Sequence, residues 1–426
     1  MQDRRQSFQV KNCREFADRA YLHITRLCDF GMRVAESTAE KQTIDYVGNC
    51  FASLGMTVTC DSFAWAPFES VDREILVDGH GILFRSLFVN RFCFREMVEG
   101  EILMVQPNLL RSQQNCQGKI LVTDCINDVL RLKDLDPEVV LVVRAEDIQN
   151  VQHLNGSKVC LRLQGVHNES PTASHNVAAE YECAANRLDR HIIVNSHWDS
   201  TGGPGANDNA SGVGALIELA REFGAYAESA STNVRFVTTG AEESGLIGSL
   251  AYAIKYSSCL AACDLSLTVD GIGDGPKGVG KPYLAMSPPS DNWEQKIDVS
   301  PELRLISADN WQSAWFISWD DVYWNSPTVN EGWIDSEVTA ALGADGIDFI
   351  KGGCCSGTDE RPFAFMGIRT IQQGYSSADS EELYHNESDV PLESFRRSLA
   401  VSGQVTTRII SLIMERHNRI RKPDQP

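Results

Sequence analysis

Three things are scarce or missing in this 426-residue chain, and each removes a class of function. No stretch approaches the roughly 18 uninterrupted apolar residues of a membrane-crossing helix, and the opening MQDRRQSFQVKN has charges with no apolar h-region behind them. No cysteine pair has CxxC spacing; the thirteen cysteines are scattered and odd in number, which points to reduced thiols rather than a disulfide framework. Basic charge is scarce, with 38 Lys and Arg against 58 Asp and Glu and a formal charge of −20. Such a surface repels nucleic acid and anionic membrane, so neither is expected as a partner, while some of the acid excess can be neutralised by bound metal. A soluble cytoplasmic protein is the expectation, with its oligomeric state open.

What is present centres on residues 191–243. Ile192-Ile193-Val194 is an apolar run that ends in a polar cluster holding His197 and Asp199. A second β-branched run, Val234 to Thr239, ends in Glu242 and Glu243. Two buried strands thus deliver imidazole and carboxylates at their carboxyl ends, where open α/β sheets place ligand sites. Between them the turn Gly202-Gly203-Pro204-Gly205 brings in Asp208, and Ser211 to Ala227 reads as a crossover helix returning to a parallel strand. A third strand, Leu265 to Val269, ends in Asp270, and Tyr384-His385-Asn386 places another imidazole before the last helix. His197, Asp208, Glu243, Asp270 and His385 make an imidazole and carboxylate set without thiolate, which suits catalytic rather than structural zinc. Five ligands are too many for one tetrahedral ion that keeps a water, but serve two ions if one carboxylate bridges. Asp208, lying between the contributions of the two strands, is the natural bridge.

The motifs HWDS, GANDNASG, GAEESG, TVDGIG and YHNESD, in that order, resemble the zinc-ligand motifs of the M28 family of co-catalytic di-zinc exopeptidases, which are mostly aminopeptidases. The likeness runs from roughly Phe30 to the last helix, and FGMRVAEST, between the first two helices, resembles the family's entry loop. It implies that His197 and Asp270 hold one zinc, that Glu243 and His385 hold the other, and that Asp208 bridges two Zn²⁺ per chain. It also implies Glu242 as general base, Asp199 as support for His197, and a cis peptide at Asp208-Asn209. The implied substrate is a peptide with a free N-terminus. Among possible substrate contacts are Tyr384, beside His385, and Arg361, the cation that a C-terminal carboxylate would need. SGTDERPF at 356–363 resembles the family's SDHxPF, with Glu360 standing where the histidine usually is, so the substrate contacts there are expected to differ. Other functions share some of these motifs: a single-zinc acyltransferase of the glutaminyl cyclase kind, a carboxypeptidase or small-peptide amidase, and a non-catalytic binding module, which would be expected to have lost ligands or Glu242.

The fold class expected is α/β, a three-layer α/β/α arrangement on a mixed, mostly parallel central sheet. Helices are read at Glu15 to Phe30, Thr38 to Leu54 and Pro391 to Arg416, the last with Pro391 at its first position, and an edge strand at Met56 to Phe63. Residues 64–173 change to short β segments and form an inserted part, in which GKILVTD is similar to a protease-associated domain; the catalytic part is then 1–63 with 174–426. The tryptophans between Trp293 and Trp333 read as core or lid. Gly275 to Lys281 matches GxxxxGK by accident, since Pro282 replaces the Ser or Thr that a phosphate loop places on magnesium. Cys354-Cys355 reads as structural, and the sequons at Asn209 and Asn386 as coincidences beside proposed ligands.

Overall fold

The computed structural model describes residues 8–77, 80–83, 86–89, 97–105, 115–123, 135, 137–142, 151–167, 172–181, 190–230, 232–260, 262–287, 302–307, 310–317, 333–353, 358–365, 368–377, 379 and 383–420. The amino-terminal helices form where expected. Helix α1 (Cys13–Cys28) is started by Asn12, whose side chain accepts from the Glu15 amide, and it buries Phe16, Ala17, Ala20, Ile24 and Leu27 on one face. Helix α2 (Thr38–Ser53) is capped in the same way by Ser37, and Gly55 follows it in the left-handed region.

Strand β1 (Thr57–Val77) does not stop at Phe63 but continues to Val77. Residues 57–65 pair with β2 (Thr172–Glu180), and from Phe68 onward the strand pairs with Lys158–His167 of the inserted segment. One hydrogen-bonded ladder therefore runs through position 63. The remaining central strands are β3 (His191–His197), β4 (Asn233–Thr239), β5 (Cys263–Val269), β6 (Lys281–Ser287), β7 (Ile350–Gly353) and β8 (Thr370–Ser376). Their spatial order is β1-β2-β4-β3-β5-β8-β6-β7. The four at the centre, β4, β3, β5 and β8, are parallel, and β2 and β6 flank them antiparallel. The same mixed sheet continues through the inserted segment, where Lys119–Thr123 runs parallel to its neighbours Met97–Met104 and Val139–Val142. The tryptophan-rich stretch contributes backbone strands at Glu302–Ser307 and Asn310–Ile317, but its side chains lie outside the described residues, as does Cys354-Cys355.

Helices cover both faces of the central strands. On one side α1, α2, α3 (Ser211–Gly224) and the closing helix share a core with Ile192, Val194, Val234, Phe236, Leu265 and Leu267. On the other, α4 (Ile247–Lys255) and the short α5 (Glu360–Phe365) meet Ile193 and Val237 through Tyr252, Ala253 and Phe363. Alternate residues of β3 thus enter opposite cores, which is why that strand reads as a continuous apolar run rather than an alternating one. The closing helix α6 spans Phe395–Ile420, so Pro391 is not its first residue. The cause lies just upstream: the buried carboxylate of Asp389 is bonded to the amides of Asn207 and Asp208, which fixes the chain before a helix can begin. Gly275 to Lys281 leads into a strand, not a helix, as an accidental GxxxxGK should. The chain passes from β3 to β4 on one side of it, and from β4 crosses to β5 on the other side of β3. The carboxyl ends of these three strands therefore open a crevice at a topological switch point.

Candidate active site

Each strand of the crevice ends in a side chain of the candidate set. His197 is the last residue of β3, Glu242 and Glu243 follow β4, and Asp270 directly follows β5, its amide bonded to the Gln373 carbonyl of β8. Asp208 comes from the tight turn 206–210 that precedes α3, and His385 from the loop before α6. The peptide Asp208-Asn209 is cis, as the likeness implied.

These residues converge on two overlapping groups. His197 Nε2 lies 3.1 Å from Asp208 Oδ1 and 3.3 Å from Asp270 Oδ1. His385 Nε2 lies 2.9 Å from Glu243 Oε2 and 3.4 Å from the other oxygen of Asp208. Within each trio, His197 with Asp208 and Asp270 or His385 with Asp208 and Glu243, the donor atoms all lie within 4.8 Å of one another, and Asp208 belongs to both. Ligands ~2.0–2.1 Å from a tetrahedral zinc lie about 3.3 Å apart, which is close to the spacing of three of these four contacts. The donor chemistry fits as well: Glu243 Oε1 is enclosed yet has no hydrogen-bond partner in the protein, a costly state unless something else fills it. Glu242 reaches the same place, with an oxygen within 4.8 Å of ligand atoms of His197 and Glu243.

The electrostatics are those of a cluster short of positive charge. Burial pushes the Glu243 carboxyl up to about 8, helped by the neighbouring charge of Asp208. Glu242 is pushed well above the carboxylate range by burial and by Asp359, Asp270 and Glu243, against the pull of His197. Burial works to lower His197, but Glu242 and Asp270, with bonds to Asp199 and Asp208, hold the imidazole well above its usual value. Asp208 is the exception: burial opposes its charge, yet the bonds from the two imidazoles keep it below its ordinary range. A divalent cation between these groups would favour the ionised carboxylates and so oppose the upward shifts that burial causes.

The surrounding residues explain how the loops hold this geometry. Asp199, 3% exposed, lies 3.5 Å from His197 Nδ1, and its two oxygens accept the amides of Glu242 and Glu243, each at 3.1 Å. It supports three neighbours, where the motif pointed to one. Asn209 donates to Ser196 Oγ and the Val269 carbonyl and accepts from Gly212 and Gly271, so it ties β3, β5 and α3 together. Arg33, fully buried, donates to the carbonyls of Trp198, Pro204 and Gly205. Gly202 and Gly203 let the His385 loop approach: a Cβ on Gly202 would sit 2.1 Å from the His385 carbonyl oxygen, and one on Gly203 would be 2.3 Å from that of Asn386. Asp359, buried beside the cluster, accepts from Thr239 Oγ1 and is pushed up to about 6 by burial.

Of the two candidate substrate contacts, Tyr384 is 63% exposed and stacks on the His385 ring, with centroids 3.7 Å apart. Arg361 is 1% exposed on α5, its Nε 3.9 Å from Glu360. Sequence reasoning passed over Arg33, Asn209, Asp359 and Asp389 as supports, although all four stand inside motifs already singled out. The signal was a second polar residue within each motif. Its use depends on which distant amide or carbonyl folds against it.

Residues 176–301 match peptidase family M28. Aminopeptidase YwaD of Bacillus subtilis is 24% identical over 282 residues, 61% of this chain and 52% of that protein. The probable lipoprotein aminopeptidase LpqL of Mycobacterium tuberculosis is 48% identical over 62 residues, 14% of this chain and 12% of its own length. The chain therefore spans about half or less of these curated relatives. Among solved structures, a zinc aminopeptidase from Bacillus subtilis superimposes with a TM-score of 0.54 at 17% identity, covering 96% of both chains. An aminopeptidase from Aneurinibacillus gives 0.51 at 19% identity, covering 92% of this chain and 93% of its own. At these identities the structural likeness speaks for the fold. Residues 176–301, which carry four of the five candidate ligands, thus bear the sequence of peptidase family M28 on the fold of known aminopeptidases.

Proposed function

We propose that this protein is a zinc-dependent exopeptidase that removes N-terminal residues from peptides, with two zinc ions per chain. The observation that carries the reading is the pair of ligand trios sharing Asp208, with donors spaced as zinc ligands are. His197 and Asp270 would hold one ion and Glu243 and His385 the other, with Asp208 between them. When bound, the two ions supply Lewis acidity that polarises the scissile carbonyl and lowers the pKa of the attacking water. Glu242 takes the proton from that water and passes it to the leaving amine, the role its uncommitted side chain suits. Asp199 keeps the His197 ring oriented and the Glu242-Glu243 backbone in place.

Direction follows from charge. The pocket is lined with carboxylates that accept from an α-ammonium, whereas Arg361, the cation considered for a C-terminal carboxylate, is enclosed on α5. Tyr384, stacked on His385 and open to solvent, offers a flat apolar face to the substrate's first side chain. A cytoplasmic setting belongs to the same reading, supported by the eight cysteines described, which are all free thiols. The catalytic part would comprise 1–63 and 174–426, with 64–173 as an insertion continuing its sheet.

The test is metal analysis of protein purified without chelator, together with a panel of free and N-acetylated aminoacyl amides. Close to two zinc ions per chain are expected, with cleavage of free amines and sparing of the acetylated ones. A plateau at one ion under saturating zinc would point to the single-zinc acyltransferase chemistry instead. Cleavage of N-blocked peptides from the carboxyl end would overturn the direction and leave the metal reading intact.

A further inference from the structure

Asp208 must place one oxygen toward each half of the cluster, and it sits in a turn where Asp208 and Asn209 leave helical geometry. Three of its backbone amides are held by a single distant residue. Asp389 is 2% exposed, its Oδ1 accepts the Asn207 amide at 2.7 Å, and its Oδ2 accepts the Asp208 amide at 3.0 Å. Its carbonyl accepts the Ala206 amide at 3.1 Å, so three successive amides of the turn end on one residue. Its own amide donates to the Asn386 carbonyl, next to His385. The opposite side of the turn is held by Arg33, which donates to the carbonyls of Pro204 and Gly205.

Resting on the di-zinc reading above, we propose that Asp389 is a positioning residue for metal binding: it locks the Asp208 turn to the His385 loop so that the shared carboxylate faces both metal positions. The arrangement repeats that of Asp199, which accepts the Glu242 and Glu243 amides across the crevice. Both sites pose the same chemical problem, two adjacent N–H groups pointing into a buried space. A carboxylate satisfies both with two acceptors, whereas an amide satisfies one and turns its own N–H₂ toward the other. Substitution of groups that orient metal ligands typically weakens binding 10–100-fold. Because Asp208 serves both positions, loss of its support weakens both affinities together, unlike loss of a ligand private to one.

The experiment is a zinc titration of full-length Asp389→Asn against a competing chromophoric chelator, with thermal unfolding of the chelated protein alongside. Both zinc affinities are expected to fall at least 10-fold while the chelated variant still unfolds cooperatively. A variant with lowered melting temperature but wild-type affinity at both positions would overturn the proposal, because Asp389 would then serve folding alone. If Asp389→Asn is recovered only unfolded, Asp389→Glu is titrated instead. It keeps both acceptors on a stem one methylene longer, and unchanged affinities there would equally overturn the proposal. If the wild type binds fewer than two zinc ions, the di-zinc reading fails on its own count. The effect of Asp389→Asn on whichever ion remains still decides the role of Asp389.

Discussion

Replacing Glu242 by Gln separates proton transfer from metal binding. The change keeps shape and volume and removes the charge and, with it, the ability to take a proton. With charges 4.8 Å apart, the outer limit of the spacing between Glu242 and Glu243, repulsion is roughly 3.5 kcal/mol at an effective dielectric constant of ~20. Repulsion of this kind, from Asp359, Asp270 and Glu243, adds to burial, the largest cause, in pushing Glu242 far up. A neutral amide there costs the chelated fold little, and its melting temperature should match or exceed that of the wild type. The backbone at 242 is held by Asp199 through its amide, independently of the side chain, so the adjacent Glu243 stays in place. Zinc content is then expected to remain at the wild-type value while kcat falls about 10²-fold or more, equivalent to ~2.7 kcal/mol or more of barrier. Atomic absorption and steady-state kinetics on one preparation measure both. Loss of one zinc in proportion to activity would show that Glu242 is a ligand, and retained activity with full zinc would place the base elsewhere.

Two further outcomes follow from the same geometry. Without metal, Glu243 holds its proton up to about 8, so between its unfolded value near 4.5 and 8 the native state binds more protons than the unfolded one. The raised imidazoles of His197 and His385 act with the same sign, and the depressed Asp208 acts only in more acid solution. The chelated protein should therefore lose stability as pH rises from 5.5 to 8, with saturating zinc largely removing the slope. A flat or rising melting temperature in the chelated state would refute this. Gly202→Ala should place a methyl group against the His385 carbonyl, displacing that loop at a cost on the order of 2 kcal/mol and lowering affinity for the ion assigned to Glu243 and His385. Calorimetric zinc titration and chemical denaturation measure the two effects, and unchanged values for both would mean the loop has room that the contact denies.

Much of the site was legible because its residues stand where strands end. The runs Ile192 to Val194, Val234 to Thr239 and Leu265 to Val269 read as buried strands, and the acids and imidazole at or just past their carboxyl ends, His197, Glu242 with Glu243, and Asp270, are those the crevice receives. The acid excess, the absence of thiolate among the candidates and the order of the five motifs likewise needed no coordinates. What the sequence could not supply is the pairing of distant partners. That β1 would continue past Phe63, that Asp199 would serve two amides besides His197, that Arg33 would brace the Asp208 turn, and that Asp389 would hold the chain before α6 all depend on contacts across more than 40 residues. Periodicity and propensity act over a few neighbouring residues, so they fix where a strand or helix forms and which residue terminates it. A buried carboxylate or guanidinium, by contrast, is placed by whichever unpaired amides and carbonyls the assembled layers bring within 3 Å of it, and only the tertiary structure decides which those are.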